Sequence, residues 1–87
     1  MHYVYILRSL IANKLYFGHT GDLRARLAEH NNKRSKATKT LAPFELIYYE
    51  AYKAKQDAVV RERQLKQFKQ AYSRLKERLT ASLAVQS

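Results

Sequence analysis

Near the N-terminus, Tyr3-Val4-Tyr5-Ile6-Leu7 is apolar or aromatic at every position, and no longer run of this kind occurs in the chain. It is too short for a stable helix, and its β-branched and aromatic content fits a pleated surface. Without polar alternation it reads as the central strand of a sheet. The run is far below the eighteen or so residues of a membrane span. No basic start or small-residue cleavage site accompanies it, so neither membrane insertion nor export is expected.

A polar turn around Asn13-Lys14 leads to Leu15-Tyr16-Phe17-Gly18, a second short strand that would pair with the first as a hairpin. Thr20 or Asp22 can cap a helix in which Leu23, Leu27 and Ala28 recur at helical spacing as far as His30-Asn31. From Asn31 to Thr40, four basic groups, no acid and almost nothing apolar predict a mobile basic loop. Pro43 should open an extended segment, and Phe44-Glu45-Leu46-Ile47-Tyr48-Tyr49 has the composition of a third strand. Beyond it, Ala54, Ala58, Leu65 and Phe68 fall on one helical face, and Tyr72, Leu75, Leu79 and Leu83 continue the spacing, as one helix or two.

With 87 residues there is room for a single domain, residues 1–87, and the 46% hydrophobic and 28% charged content is that of a folded chain. The absence of cysteine excludes disulfides and thiolate metal sites and suits a reducing cytoplasm. Charge is the strongest functional signal: 17 Lys and Arg against 7 Asp and Glu give +10. Such self-repulsion points to a polyanionic partner, nucleic acid before an anionic membrane face or a ribosomal surface, the alternative being a merely solvated surface.

The chain has no Gly-rich phosphate loop, no zinc-spaced His-Glu pair and no Gly-x-Ser-x-Gly elbow. Tyr5 and Tyr16 lie on neighbouring strands of the expected hairpin, and Arg26 and His30 stand four residues apart on the following helix, so the four can converge. Each also has a structural explanation: strand packing for the tyrosines, a pair with Asp22 or Glu29 for Arg26, and the helix C-terminus for His30. Glu62 sits between Ala58 and Leu65, beside an apolar stripe. A carboxylate there must be paired, with Lys66 for instance, or protonated, or bound to a cation.

In order, Tyr3-Val4-Tyr5, Tyr16-Phe17-Gly18 and Thr20-x-Asp22-Leu23-x-x-Arg26-Leu27-x-x-His30-Asn31 resemble the GIY-YIG nuclease superfamily. The resemblance continues through Pro43-Phe44-x-Leu46-Ile47-Tyr48-x-Glu50 and Ala58-x-x-x-Glu62-x-Gln64-Leu65-Lys66, as in its small stand-alone bacterial members. Tyr3 and Phe17 stand where the family name has Gly and Ile. The resemblance implies an α+β fold, a three-stranded antiparallel β-sheet flanked by helices. It also implies metal-dependent hydrolysis of DNA phosphodiesters, on branched or damaged DNA in repair or recombination, with Mg²⁺ or Mn²⁺ as the cofactor. Glu62 would be the one protein ligand to the metal, Tyr5 or Tyr16 the general base, Arg26 the holder of the scissile phosphate, and His30 the histidine that follows it.

The chemistry agrees. Arg26 can hold a phosphate bidentately without losing its proton, and Mg²⁺ often takes only one or two carboxylates beside water and substrate oxygens. Tyr5, assisted by Tyr16 and by surrounding positive charge, would relay a proton from the attacking water while the metal on Glu62 steadies the departing 3′ oxygen. His30 is the alternative base. Lys33, Arg34, Lys36 and Lys39 would straddle neighbouring phosphates with little sequence preference. Two other readings stand beside the nuclease: a non-catalytic basic nucleic-acid-binding module of the same fold, and a subunit whose substrate choice comes from a protein partner.

Overall fold

The computed structural model describes residues 1–36 and 38–84. Strand β1 (His2–Ser9) lies at the centre of an antiparallel sheet of order β2-β1-β3, with β2 (Leu15–Thr20) and β3 (Phe44–Tyr52) on either side. Helix α1 (Leu23–Asn31) precedes β3, and α2 (Lys55–Gln67), α3 (Lys69–Arg78) and the short α4 (Thr80–Ala84) follow it. The fold is thus α+β, a three-stranded antiparallel sheet flanked by helices.

Because neighbouring strand residues point to opposite faces, β1 feeds two apolar clusters. Val4 and Ile6 pack with Ala58 and Leu65 of α2 and with Leu75 and Leu79. Tyr5 and Leu7 pack with Ala42 and Phe44, against Leu23 and Leu27 of α1. This explains the unbroken apolar run, since each side chain has a covered face to enter. Ile6 and Leu7 are fully buried, and each such burial contributes about 1.5–3 kcal/mol. A bulge between Ile6 and Leu7 shifts the pairing with β3, so that Ile6 faces Tyr48 and Leu7 faces Leu46.

Asp22 caps α1, its carboxylate accepting from the Ala25 N–H at 3.0 Å. At the other end, the Arg34 N–H donates to the Glu29 carbonyl and the Lys33 N–H to the His30 carbonyl. This paired closure needs a left-handed residue, and Lys33 takes it with φ 60°.

Two expectations are corrected. The basic segment is not a loose loop: Ser35 and Thr38 are buried, and the Thr38 and Lys39 N–H groups both donate to the Ser35 carbonyl. Short polar side chains anchor it where apolar ones are missing. Phe68 does not join the core stripe. The helix breaks at that residue, which leaves helical geometry at φ −111°, ψ 109°, and its ring is 58% exposed. Among the described residues no helix is long and apolar enough to cross a membrane.

Glycine takes a left-handed conformation without the steric penalty that a Cβ imposes. Lys33→Gly should therefore raise stability by about 1 kcal/mol, read as a higher denaturant midpoint at unchanged slope.

Candidate active site

Tyr5 points from the central strand toward α1, across the edge strand at Gly18, its partner in the β1–β2 register. A Cβ added at Gly18 would lie 2.4 Å from the Tyr5 hydroxyl oxygen and 2.5 Å from the ring carbon bearing it. The glycine is thus required by the close approach of the phenol. Beyond it the hydroxyl meets Nε2 of His30 at 3.0 Å. His30, in the last turn of α1, is fully buried, and its Nδ1 lies 2.7 Å from the Thr38 hydroxyl. Every polar atom of the imidazole therefore has a partner, as burial demands.

Tyr16, on β2, stands edge-on to the His30 ring with centroids 5.0 Å apart, and its ring centroid is 6.4 Å from that of Tyr5. Arg26, one turn before His30, lies close enough to the Tyr5 hydroxyl to favour its anion, and it also pairs with Glu29 at 3.2 Å. That pair is partly exposed, a class of ion pair worth little, so the guanidinium can exchange Glu29 for a phosphate.

Glu62 enters from α2. Its side chain is 19% exposed, turned toward the sheet rather than to bulk solvent. Its charge is felt by Tyr5. The Lys66 ammonium lies 3.7 Å from Glu62 Oε1 and 5.8 Å from the Tyr16 ring centroid, joining the carboxylate to the paired tyrosines.

The electrostatics correct one expectation. Surrounding positive charge was expected to make the Tyr5 phenolate accessible, but burial raises its pKa, helped by Tyr16 and Glu62, and the opposing effect of Arg26 does not overcome this. A standing phenolate is disfavoured. His30 is shifted the other way: burial, aided by the Arg26 charge, lowers its pKa, so the ring is neutral near pH 7 and one of its nitrogens is unprotonated.

All five residues singled out in the sequence, Tyr5, Tyr16, Arg26, His30 and Glu62, thus gather in one region. Lys33, Arg34, Lys36 and Lys39 are exposed on the segment beyond α1. Two contributors went unnoticed in the sequence. Thr38, a threonine among lysines, carried no pattern that could have marked it. Arg61 looked like one more surface cation, yet it donates to both oxygens of Glu50, which also accepts from the Tyr48 and Tyr52 hydroxyls. Burial resists ionisation of Glu50, but these donors outweigh it and hold its pKa below the usual range; burial and the bond to this anion push both tyrosines up to about 12. The clamp fixes α2 against β3 one residue before Glu62.

With this geometry in view, comparison with known proteins is decisive. The sequence matches the GIY-YIG catalytic domain over residues 1–76. The chain belongs to the GIY-YIG family. Its relatives include a UPF0213 protein of Staphylococcus haemolyticus, 44% identical over 68 residues, which span 77% of this chain and 82% of that protein. A UPF0213 protein of Staphylococcus epidermidis is 41% identical with the same coverage, and one of Bacillus pumilus is 39% identical over 66 residues, 75% of this chain and 66% of that protein. No solved structure matches the chain. The GIY-YIG assignment carries a nuclease-like fold.

Two outcomes check this geometry. Gly18→Ala should cost about 1–3 kcal/mol in denaturant unfolding, because the added methyl forces a buried ring to move. Below pH about 6.5 the unfolded chain takes up a proton at residue 30 that the folded chain resists, so stability should fall as pH is lowered from 7 to 5. His2 is lowered too, by burial, His19 and Lys55, and acts in the same direction. His30→Gln should therefore make the decline shallower without abolishing it, measured as unfolding free energy against pH.

Proposed function

We propose that this protein is a metal-assisted endonuclease that hydrolyses DNA phosphodiesters, with branched, damaged or single-strand-containing DNA as its substrate. The observation that carries the reading is the Tyr5 hydroxyl, held 3.0 Å from a buried neutral imidazole, with Arg26 beside it and Glu62 within electrostatic reach.

Arg26 engages the non-bridging oxygens of the scissile phosphate and neutralises charge there. The attacking water gives its proton to the Tyr5 oxygen as the Tyr5 proton passes to His30 Nε2, so no free phenolate is needed beforehand. This requires the His30 tautomer protonated on Nδ1, which donates to Thr38. Both ring nitrogens of His30 are engaged, Nε2 by the Tyr5 hydroxyl and Nδ1 by Thr38, so it acts through Tyr5 and not as an independent base. Tyr16 packs on His30 and borders the same space, where its hydroxyl can orient the water.

Glu62 fits a hard divalent cation, Mg²⁺ or Mn²⁺: it is an acceptor-only carboxylate with no hydrogen-bond donor on its oxygens among the described residues. No group of three or more His, Cys, Asp and Glu suited to a metal occurs there, so the remaining positions would fall to water and substrate. Such an ion, when bound, supplies Lewis-acid stabilisation of charge on the phosphate and leaving oxygens. The Glu62–Lys66 pair favours a second reading, a basic DNA-binding module in which that carboxylate is already neutralised.

Single-turnover cleavage of flap and nicked duplexes under titrated Mg²⁺ or Mn²⁺ separates the two. Tyr5→Phe should slow cleavage by about 10²–10⁴-fold, and Glu62→Gln should remove the metal dependence. Cleavage should also weaken on acidification, at a pH below the ordinary histidine range, as His30 takes a proton from solvent. A parent protein that binds DNA and cuts none at any metal concentration leaves the binding module.

A further inference from the structure

Phe68 is a large apolar side chain, 58% exposed, at a place where the sequence has every means of burying it. It follows the buried Leu65 by three residues, so an unbroken α2 would carry it onto the core face. The backbone leaves helical geometry there, and Phe68 closes α2 and opens α3. The elbow is firmly held: the Phe68 N–H donates to the Gln64 carbonyl at 2.9 Å, and its own carbonyl accepts from the Ala71 and Tyr72 N–H groups. Leu65 before it and Leu75 after it anchor both helices in the core.

The surroundings are cationic. From residue 63 to 76 the chain carries Arg63, Lys66, Lys69, Arg74 and Lys76, all exposed, and no acid. Lys66, two residues before Phe68, reaches both Glu62 and the Tyr16 ring, so this surface runs on from the candidate site. An apolar ring held at a helix junction, in a stretch of chain whose charges are all positive, complements one chemical object: a flat aromatic base tethered to phosphates. Inside a paired duplex the base faces are already stacked, so away from the duplex ends only an unpaired nucleotide can offer one.

We propose that Phe68 is a stacking platform for an unpaired base of the DNA substrate, with Lys66 and Lys69 on its flanking phosphates, and that this platform selects DNA in which duplex meets single strand. The proposal rests on the nuclease reading for its substrate, yet it is tested without cleavage. Fluorescence anisotropy in EDTA would compare a blunt duplex with the same duplex carrying an unpaired thymine tail. The parent should prefer the tailed DNA. Phe68→Ala should weaken tailed binding by about tenfold and blunt binding by less than twofold, and Phe68→Trp should restore the preference.

Equal loss on both DNAs, no loss on either, or a parent without preference overturns the proposal. So does a sedimenting dimer of the parent that Phe68→Ala abolishes, since the ring would then be covered by a second copy. Since the ring is exposed, Phe68→Ala should melt as the parent does; if it melts lower, Phe68→Leu, equally apolar but without an aromatic face, must lose the preference that Phe68→Trp keeps. A protein that discriminates tailed DNA yet never cuts with metal sinks the nuclease reading alone. One that cuts yet shows no Phe68 effect sinks this proposal alone.

Discussion

A phenol and an imidazole enclosed between a sheet and a helix, 1% and 0% exposed, have to satisfy one another, because an unpaired buried polar group costs about 1–3 kcal/mol. The Tyr5–His30–Thr38 chain meets that requirement, and much of the surrounding structure follows from it. Tyr5 needs Gly18 opposite it, because any side chain there would collide with the phenol. His30 needs α1 to end where it does, and the left-handed turn at Lys33 folds the basic segment back so that Thr38 can reach the imidazole. The bond from the Phe44 N–H to the Asn31 side chain then delivers the chain into β3.

The same enclosure sets the chemistry available. Low polarity raises the phenol and lowers the imidazole, so the neutral pair is favoured. Arg26 supplies an adjacent cation that favours the phenolate, and it is balanced by Glu29 at the surface. On the opposite face of the sheet, Glu50 with its four donor bonds is a second, partly buried polar network, and its role is mechanical. It ties β3 to α2 and so fixes the direction from which Glu62 approaches. One face of the sheet thus holds the phenol and imidazole, while the helix that carries Glu62, paired with Lys66, is held by the other.

Strands, helix α1 and the gathering of Tyr5, Tyr16, Arg26 and His30 were legible because period-two and period-four spacings assign side chains to faces before any tertiary contact is known. The unbroken run at residues 3–7 marked the central strand for the same reason: only a strand covered on both faces tolerates it. The basic segment was misread because its order comes from Ser35 and Thr38, whose hydroxyls leave no hydropathy signal. Periodicity misplaces Phe68 because it assumes that a helix continues, whereas the helix breaks there and leaves the side chain exposed.

The sequence alone determined the three strands and helix α1, which strand is central, and which polar residues share a face, since these depend on local geometry and on the burial preference of each side chain. Tertiary structure alone decided that Thr38 meets His30, that Arg61 clamps Glu50, that the Tyr5 phenolate is disfavoured, and that Phe68 stands in solvent. Those outcomes depend on distances between segments far apart in the chain and on how completely water is excluded between them, and neither quantity is written in any local pattern of residues.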